Sequence, residues 1–312
     1  MIPLHQQHPR HDVLVVGEAL IDVHDDGMTI RERVGGSAGT IAVGLARLGR
    51  DTLLHTAIGR DERGRDILAY LTASGVGLSE SSVTQATSSV SREVLWIDGS
   101  ARYDFRIHWA PADPGTTSAR AVHAGSVAAY LEPGASTVLD LVGRSYGRSL
   151  ITFDPKIEPS LVGSREDARR RTLEFVALSG IVKVSEQDLA FLYPDDEPLE
   201  VLREWVTRGP DLAVLSRGPR GATGVTARGI VEVPGVSVLY AEAGVSGGDA
   251  FMSTLIDSAL TLGADTSMRW LRSGAPVVEQ VLARSVQAAA MTVARLGAMP
   301  PTAAELASAV GV

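Results

Sequence analysis

Short apolar runs alternate with stretches of helical spacing along most of the chain. His11–Val16 (HDVLVV) reads as a strand buried on both faces, and Thr52–Ile58, Ser149–Phe153, Ile181–Val184 and Leu212–Leu215 follow in the same style. Between the first two, Ile41, Leu45 and Leu48 fall at i, i+4 and i+7, the apolar stripe of an amphipathic helix. Alternation of this kind predicts a mostly parallel sheet with helices on both faces. Two segments break the rhythm. Ile21–Val34 and Ser88–Trp109 alternate apolar and polar residues around the turn signals Asp25-Asp26-Gly27 and Asp98-Gly99, a pattern that predicts antiparallel hairpins. Hairpins inserted early in a parallel chain can pair into a small sheet of their own, a candidate lid. With no internal repeat or low-complexity linker, the expectation is a single α/β domain over 1–312 carrying that lid at about 21–34 and 88–109.

Composition narrows the functional classes. The chain has 312 residues, 45% hydrophobic and 21% charged, enough to bury a core without staples. It contains no cysteine, which excludes disulfides, thiolate chemistry and Cys-ligated zinc. A formal charge of −8 argues against a nucleic-acid surface, which would want basic stripes. No apolar run approaches the roughly 20 residues that cross a bilayer, and the opening MIPLHQQHPRHD lacks the hydrophobic segment of a secretory signal. His5, His8 and His11 in that opening read as a polar leader rather than a metal site, because no second ligand cluster accompanies them. The expectation is a cytoplasmic protein acting on a small molecule, without nucleic-acid or membrane partners.

Three segments can carry chemistry. In Ala243–Leu262 (AGVSGGDAFMSTLIDSALTL), Gly247 and Gly248 precede Asp249, which opens a helix with Phe251, Leu255, Ala259 and Leu262 at apolar positions. A glycine-led helix start presents unpaired N–H groups to an anion, and an aspartate there can take a proton from a hydroxyl. The same aspartate also suits a simple helix cap. In Val34–Thr40, the glycines Gly35 and Gly36 lead into a helix, either for close approach to a ligand or for a turn that needs positive φ. In Leu215–Ala222 (LSRGPRGA), a strand end runs into a Gly/Pro turn. Both GGSAG (35–39) and GVSGG (244–248) satisfy the G-x-S-x-G pattern of a hydrolase elbow. That reading fails, because no histidine follows Ser246 and too little chain precedes Ser37. Walker A and G-x-G-x-x-G patterns are absent.

Together these segments resemble the PfkB, or ribokinase-like, carbohydrate kinase family, on its fructokinase-like branch. GGSAG followed by A-x-G-L-A-R-L-G resembles the family's N-terminal signature, and GGDAF its C-terminal one. GEALID (17–22), AIGRDERG (57–64), FDP (153–155), VSEQDLAFLYP (184–194) and LSRGPRGA agree in order and spacing, so the resemblance spans nearly the whole chain. It implies a three-layer α/β/α sandwich with a mostly parallel central sheet and a small antiparallel β lid. It also implies ATP-dependent phosphorylation of a sugar or sugar-like alcohol, with Mg²⁺ and glycine-rich amides holding the γ-phosphoryl group. By position, Asp249 is the catalytic base, and Gly247 and Gly248 supply anion-hole amides. Asp22, Gly35, Gly36 and Thr40 line the sugar site. Ser185, Ser216, Gly218 and Gly221 border the nucleotide together with Gly248, and Asp188 touches the metal through water. A monovalent cation such as K⁺ is common in the family. The lid would exclude water, and its exposed sheet suggests a homodimer.

The chain departs from the family pattern at several of these places. D-T of the C-terminal signature is Ala243-Gly244, and its G-A-G is Ser246-Gly247-Gly248. The asparagine after the glycine pair is Thr40, D-P-N-x-R is Asp154-Pro155-Lys156-Ile157-Glu158, and N-x-x-E is Ser185-Glu186-Gln187-Asp188. Glu158, where the family has arginine, disfavours phosphorylated or carboxylated acceptors. Two readings stay open: a kinase whose acceptor differs from fructose, or a kinase fold that binds a ligand or partner without phosphoryl transfer.

Overall fold

The computed structural model describes residues 11–25, 27–95, 101–115, 118–239, 247–264, 274–295, 297 and 299–310. Strands buried on both faces need apolar residues at every position, and β1 (His11–Val16) meets that demand from Val13 to Val16. Val13 and Val15 point into a core shared with α1 (Ser37–Arg47), α7 (Gly247–Thr261) and α8 (Ala275–Val293). Leu14 and Val16 point the other way, toward α3 (Gly134–Ser145), α4 (Arg165–Leu178) and α6 (Pro198–Arg208). α2 (Glu62–Ala73) joins the first core through Ile67 and Leu71, and α5 (Glu186–Leu192) joins the second through Leu189. Three layers result.

Among the described residues the central sheet has nine strands in the order β13-β12-β11-β10-β9-β8-β1-β4-β5. These are β4 (Thr52–His55), β5 (Gly77–Leu78), β8 (Ala119–Gly125), β9 (Leu150–Asp154), β10 (Ile181–Ser185), β11 (Leu212–Ser216), β12 (Ala222–Thr226) and β13 (Gly229–Val233). From β5 to β11 every pairing is parallel, and β12 and β13 close one edge as an antiparallel hairpin. The helices return the chain across the sheet between parallel strands, so all the strand ends from β1 to β11 face one side.

The segments at 21–34 and 88–109 contribute a second sheet, β3-β2-β6-β7, from β2 (Leu20–Asp25), β3 (Ile30–Gly35), β6 (Val90–Leu95) and β7 (Ala101–Arg106). Each hairpin is antiparallel, as the alternation predicts. The hairpins meet through β2 and β6, however, and those run parallel with Ile21 opposite Val90. Both strands leave the main body in the same direction, so the lid is mixed rather than purely antiparallel. Asp26 and the Asp98-Gly99 turn lie outside the described residues, as do His5, His8 and Ala243 to Ser246.

Smaller corrections have plain causes. Thr52–Ile58 is a strand only to His55, and Ile58 makes an isolated bridge to Val83. Leu262 lies past the end of α7 and is 41% exposed, so it does not extend the apolar stripe. His11 opens β1 and its Nδ1 meets Asp51 at 3.1 Å, so the polar leader stops short of it. Among the described residues no helix is long and apolar enough to cross a membrane.

Two histidines are buried in this core. Burial pushes His55 down to about 4 and His123 to about 3, and His123 Nδ1 pairs with Thr152 Oγ1 at 3.0 Å. The unfolded chain takes up protons near 6.5 while the folded chain stays neutral, so each histidine removes stability as pH falls below 6.5. For His55 alone this amounts to about 2 kcal/mol between pH 7 and pH 5. Urea unfolding at the two pH values checks it: the loss on acidification should shrink by about that amount in His55→Asn.

Candidate active site

Open α/β sheets bind ligands beyond the carboxyl ends of their strands, and here those ends carry most of the charged groups of the cleft. β1 leads to Glu18, β9 ends in Asp154 and continues into Pro155-Lys156, and β10 carries Lys183 just before its end. α7 opens on Gly247 and Gly248 and brings Asp249 into the same space.

Asp249 is fully buried, and three contacts fix it. Ser37 Oγ donates to Oδ1 at 2.7 Å, and Lys156 Nζ donates to Oδ1 and Oδ2 at 2.8 Å each. Ser37 is placed by its own backbone, whose N–H donates to Glu18 Oε1 at 3.0 Å. Burial pushes the Glu18 carboxyl above its usual range, against the opposing pull of Ser126 and Lys156. For Lys156, burial opposes the charged form but Asp249, Asp154 and Glu18 outweigh it, so its ammonium is held above the ordinary lysine range. Lys156 also has a positive φ of 41°, uncommon for a residue with a side chain and kept only where the surroundings enforce it.

The glycine pair makes this convergence sterically feasible. A Cβ at Gly35 would lie 1.9 Å from Asp22 Oδ2, and one at Gly36, whose φ is 90°, would lie 2.7 Å from the Glu18 carbonyl oxygen. Gly35 ends β3 and α1 begins at Ser37, so Gly36 alone separates the lid from the helix that steers Asp249. Asp22 faces the cleft from lid strand β2. The surrounding protein, and to a lesser extent Asp249, raise its carboxyl above the ordinary range, while Lys156 and Ser91 pull it down. Thr40 stands one turn into α1, half-buried, with its N–H on the Gly36 carbonyl at 2.9 Å.

The phosphate side is built around a second cation. Lys183 Nζ donates to Asp154 Oδ2 at 2.6 Å inside the protein, and it would lie 3.3 Å from a Cβ at Gly248. Lys183 therefore sits beside the glycine amides at the start of α7. Burial lifts Asp154 to about 6 despite Lys183, and among the described residues its Oδ1 has no hydrogen-bond partner. Ser185 and Ser216 stand opposite each other at the ends of β10 and β11, and Gly218 and Gly221 shape the turn that follows. They form a second group, at the ends of β10 and β11.

Asp188 serves first as a structural clamp. Its Oδ2 accepts from Ser185 Oγ at 2.6 Å in a capping box, and its Oδ1 accepts from Ile157 N–H at 2.7 Å, which pins the Lys156 loop. Among the described residues no cluster of three His, Cys, Asp or Glu side chains could cage a metal.

Ser37, Lys156, Lys183, Glu18 and Asp154 join the site without having been singled out as site residues. Ser37 was visible only as a hydrolase nucleophile and Lys156 only as a departure from D-P-N. The lysine in the strand run IVKVS was the one readable signal for Lys183, since a charge inside an otherwise apolar strand needs a buried partner.

A layered sheet with a lid, and a buried carboxylate beside a glycine-led helix start, define the class of small-molecule phosphotransferases with an alcohol acceptor. The pattern of the pfkB family carbohydrate kinases matches residues 10–305, and the chain belongs to that family. It is 29% identical over 259 residues to a fructokinase of Rhizobium leguminosarum bv. trifolii, covering 79% of each chain. In structure it is similar to a fructokinase from Xylella fastidiosa with bound ATP, with a TM-score of 0.82 and 19% identity over 96% of this chain and 98% of that one. A fructokinase from Vibrio cholerae O395 bound to fructose, ADP and calcium ion gives a TM-score of 0.80 and 22% identity, over 96% of this chain and 98% of that one.

Proposed function

We propose that the protein transfers the γ-phosphoryl group of ATP to a hydroxyl of a sugar or sugar-like alcohol, with Asp249 as general base. The observation that carries this reading is the placement of Asp249, fully buried at the start of α7 and shared between a hydroxyl and an ammonium at the mouth of the strand ends. Asp249 takes the acceptor's proton, the oxygen attacks the γ-phosphorus, and the bond to the bridging oxygen of ADP breaks. Asp22, Gly35, Gly36 and Thr40 line the acceptor side. Gly247, Gly248 and Lys183 face the phosphates, and Ser185, Ser216, Gly218 and Gly221 border the nucleotide. Mg²⁺ would be held by the ATP phosphates and would neutralise their charge, with Asp188 near it through water. A monovalent cation would belong near the C-terminal signature that carries Asp249.

The chain acts as one α/β unit, in the cytoplasm, with the lid closing over the acceptor. Met28 at 91% and Ile30 at 63% exposure leave apolar surface at the tip of the β2–β3 hairpin, which a second copy of the chain would cover. Glu158 accepts from Ser160 N–H and Oγ within its own loop, and its negative charge where the family has arginine supports a neutral acceptor.

The test is ADP release from Mg·ATP with a panel of pentoses, hexoses, nucleosides and polyols. Release that depends on one acceptor class establishes the transfer and names the class. Nucleotide binding without release for any acceptor would leave a kinase fold used only for binding.

A further inference from the structure

Lys156 stands where the family pattern carries asparagine, and its contacts create a difficulty for the base. A hydroxyl gives up its proton to Asp249 only if the carboxylate is basic enough to take it. Ser37 uses one lone pair of Oδ1 and can remain. Lys156 Nζ lies 2.8 Å from both oxygens and neutralises the charge that makes Asp249 a base, so its departure would restore the pull on the acceptor's proton. Lys156 has the means to leave. Its side chain is 43% exposed toward the cleft, whereas that of Lys183 is 4% exposed and enclosed. Its backbone is anchored, by Pro155 before it and by the Ile157 N–H held on Asp188 Oδ1 after it. The result is a fixed pivot carrying a long stem with room to swing.

Where the ammonium goes follows from charge. An ammonium at the mouth of a cleft is drawn to the nearest anion, and Asp249 holds it at 2.8 Å. A bound ATP brings a new anion, its terminal phosphate, to the amides of Gly247 and Gly248 directly before Asp249 in the chain. We propose that Lys156 is a switching catalytic residue: it caps Asp249, and when ATP binds its ammonium passes to the oxygens of the transferring phosphoryl group and frees the base. The proposal rests on the kinase reading above. It gives one side chain two duties in sequence, shielding the carboxylate from water before the nucleotide arrives and stabilising phosphoryl charge afterwards. ADP lacks the terminal phosphate and leaves the cap in place.

The test compares binding of a non-hydrolysable ATP analogue and of ADP, without acceptor, by calorimetry. The wild type should bind the analogue more tightly than ADP. Lys156→Met should lose about tenfold to a hundredfold in analogue affinity, the worth of one charge-assisted hydrogen bond, with ADP affinity unchanged. Lys156→Arg should keep most of the preference. If Lys156→Met does not fold, Lys156→Asn carries the same test, because it restores the side chain of the family pattern. An equal loss for both nucleotides, or no loss for either, would overturn the proposal while leaving the kinase reading intact. Failure of the wild type to bind either nucleotide would remove the kinase reading and this proposal with it.

Discussion

Asp249→Asn should lower acceptor-dependent ADP release by about 10²–10⁴-fold, the usual contribution of a positioned general base. The amide keeps the size of the carboxylate and can still accept from Ser37 Oγ, so the fold and nucleotide binding should survive. What disappears is the group able to carry the acceptor's proton. The loss should therefore fall on kcat, with KM for ATP unchanged or lowered, because the amides of Gly247 and Gly248 remain and Lys156 is released from the carboxylate. A variant that kept more than a tenth of wild-type kcat would show that the proton leaves by another route. Ser37→Ala is the useful companion: it removes one contact to Oδ1 without removing the base, and should cost far less.

Lys183→Met should be the most destabilising single change in the cleft, by about 3–5 kcal/mol at pH 8, because it strands Asp154 inside the protein without its counter-charge. Asp154 is 1% exposed and Lys183 3%, so water cannot take over the lost contact. The pH dependence separates this cause from simple loss of packing. Burial already holds Asp154 at about 6, above its unfolded value of 3.8, and loss of the ammonium pushes it further up. A group raised in the folded state favours folding at low pH and loses that contribution as pH rises through its folded value. The gap between variant and wild type should accordingly narrow from pH 8 to pH 5.5 in urea unfolding. Asp154→Asn added to Lys183→Met should recover part of the loss. A gap of the same size at both pH values would attribute the effect to volume instead.

The parts of the fold legible in the sequence are those where one residue pattern has one physical meaning. The apolar run VLVV in HDVLVV is buried on both faces of the sheet, and Ile41 and Leu45 of α1 are fully buried as their spacing predicts. β8 escaped notice because its sequence, ARAVHAG, mixes alanine and glycine with an arginine and a histidine. Its polar groups are matched only in three dimensions, Arg120 by Asp12 at 2.9 Å and His123 by Thr152 at 3.0 Å. The parallel join of β2 and β6 was hidden for a related reason: alternation specifies which residues face inward, but not which strand becomes the neighbour. The site divides in the same way. Glycine pairs and the aspartate after Gly248 stand out locally, so the motifs could be quoted in advance. The contacts of Asp249 with Ser37, 212 positions away, and with Lys156, 93 positions away, depend on how the layers close.

Gly36 is the whole of the connection between lid strand β3 and helix α1, and that brevity limits how relatives of this chain can diverge in length. The tip of the β2–β3 hairpin is exposed, and extra residues there would only lengthen an open loop. A single residue added between Gly35 and Ser37 would rotate the start of α1 against its neighbours and carry the Ser37 hydroxyl away from Asp249. Drift in loop length among such proteins is thus expected to collect at the outer rim of the lid and to be purged at its root.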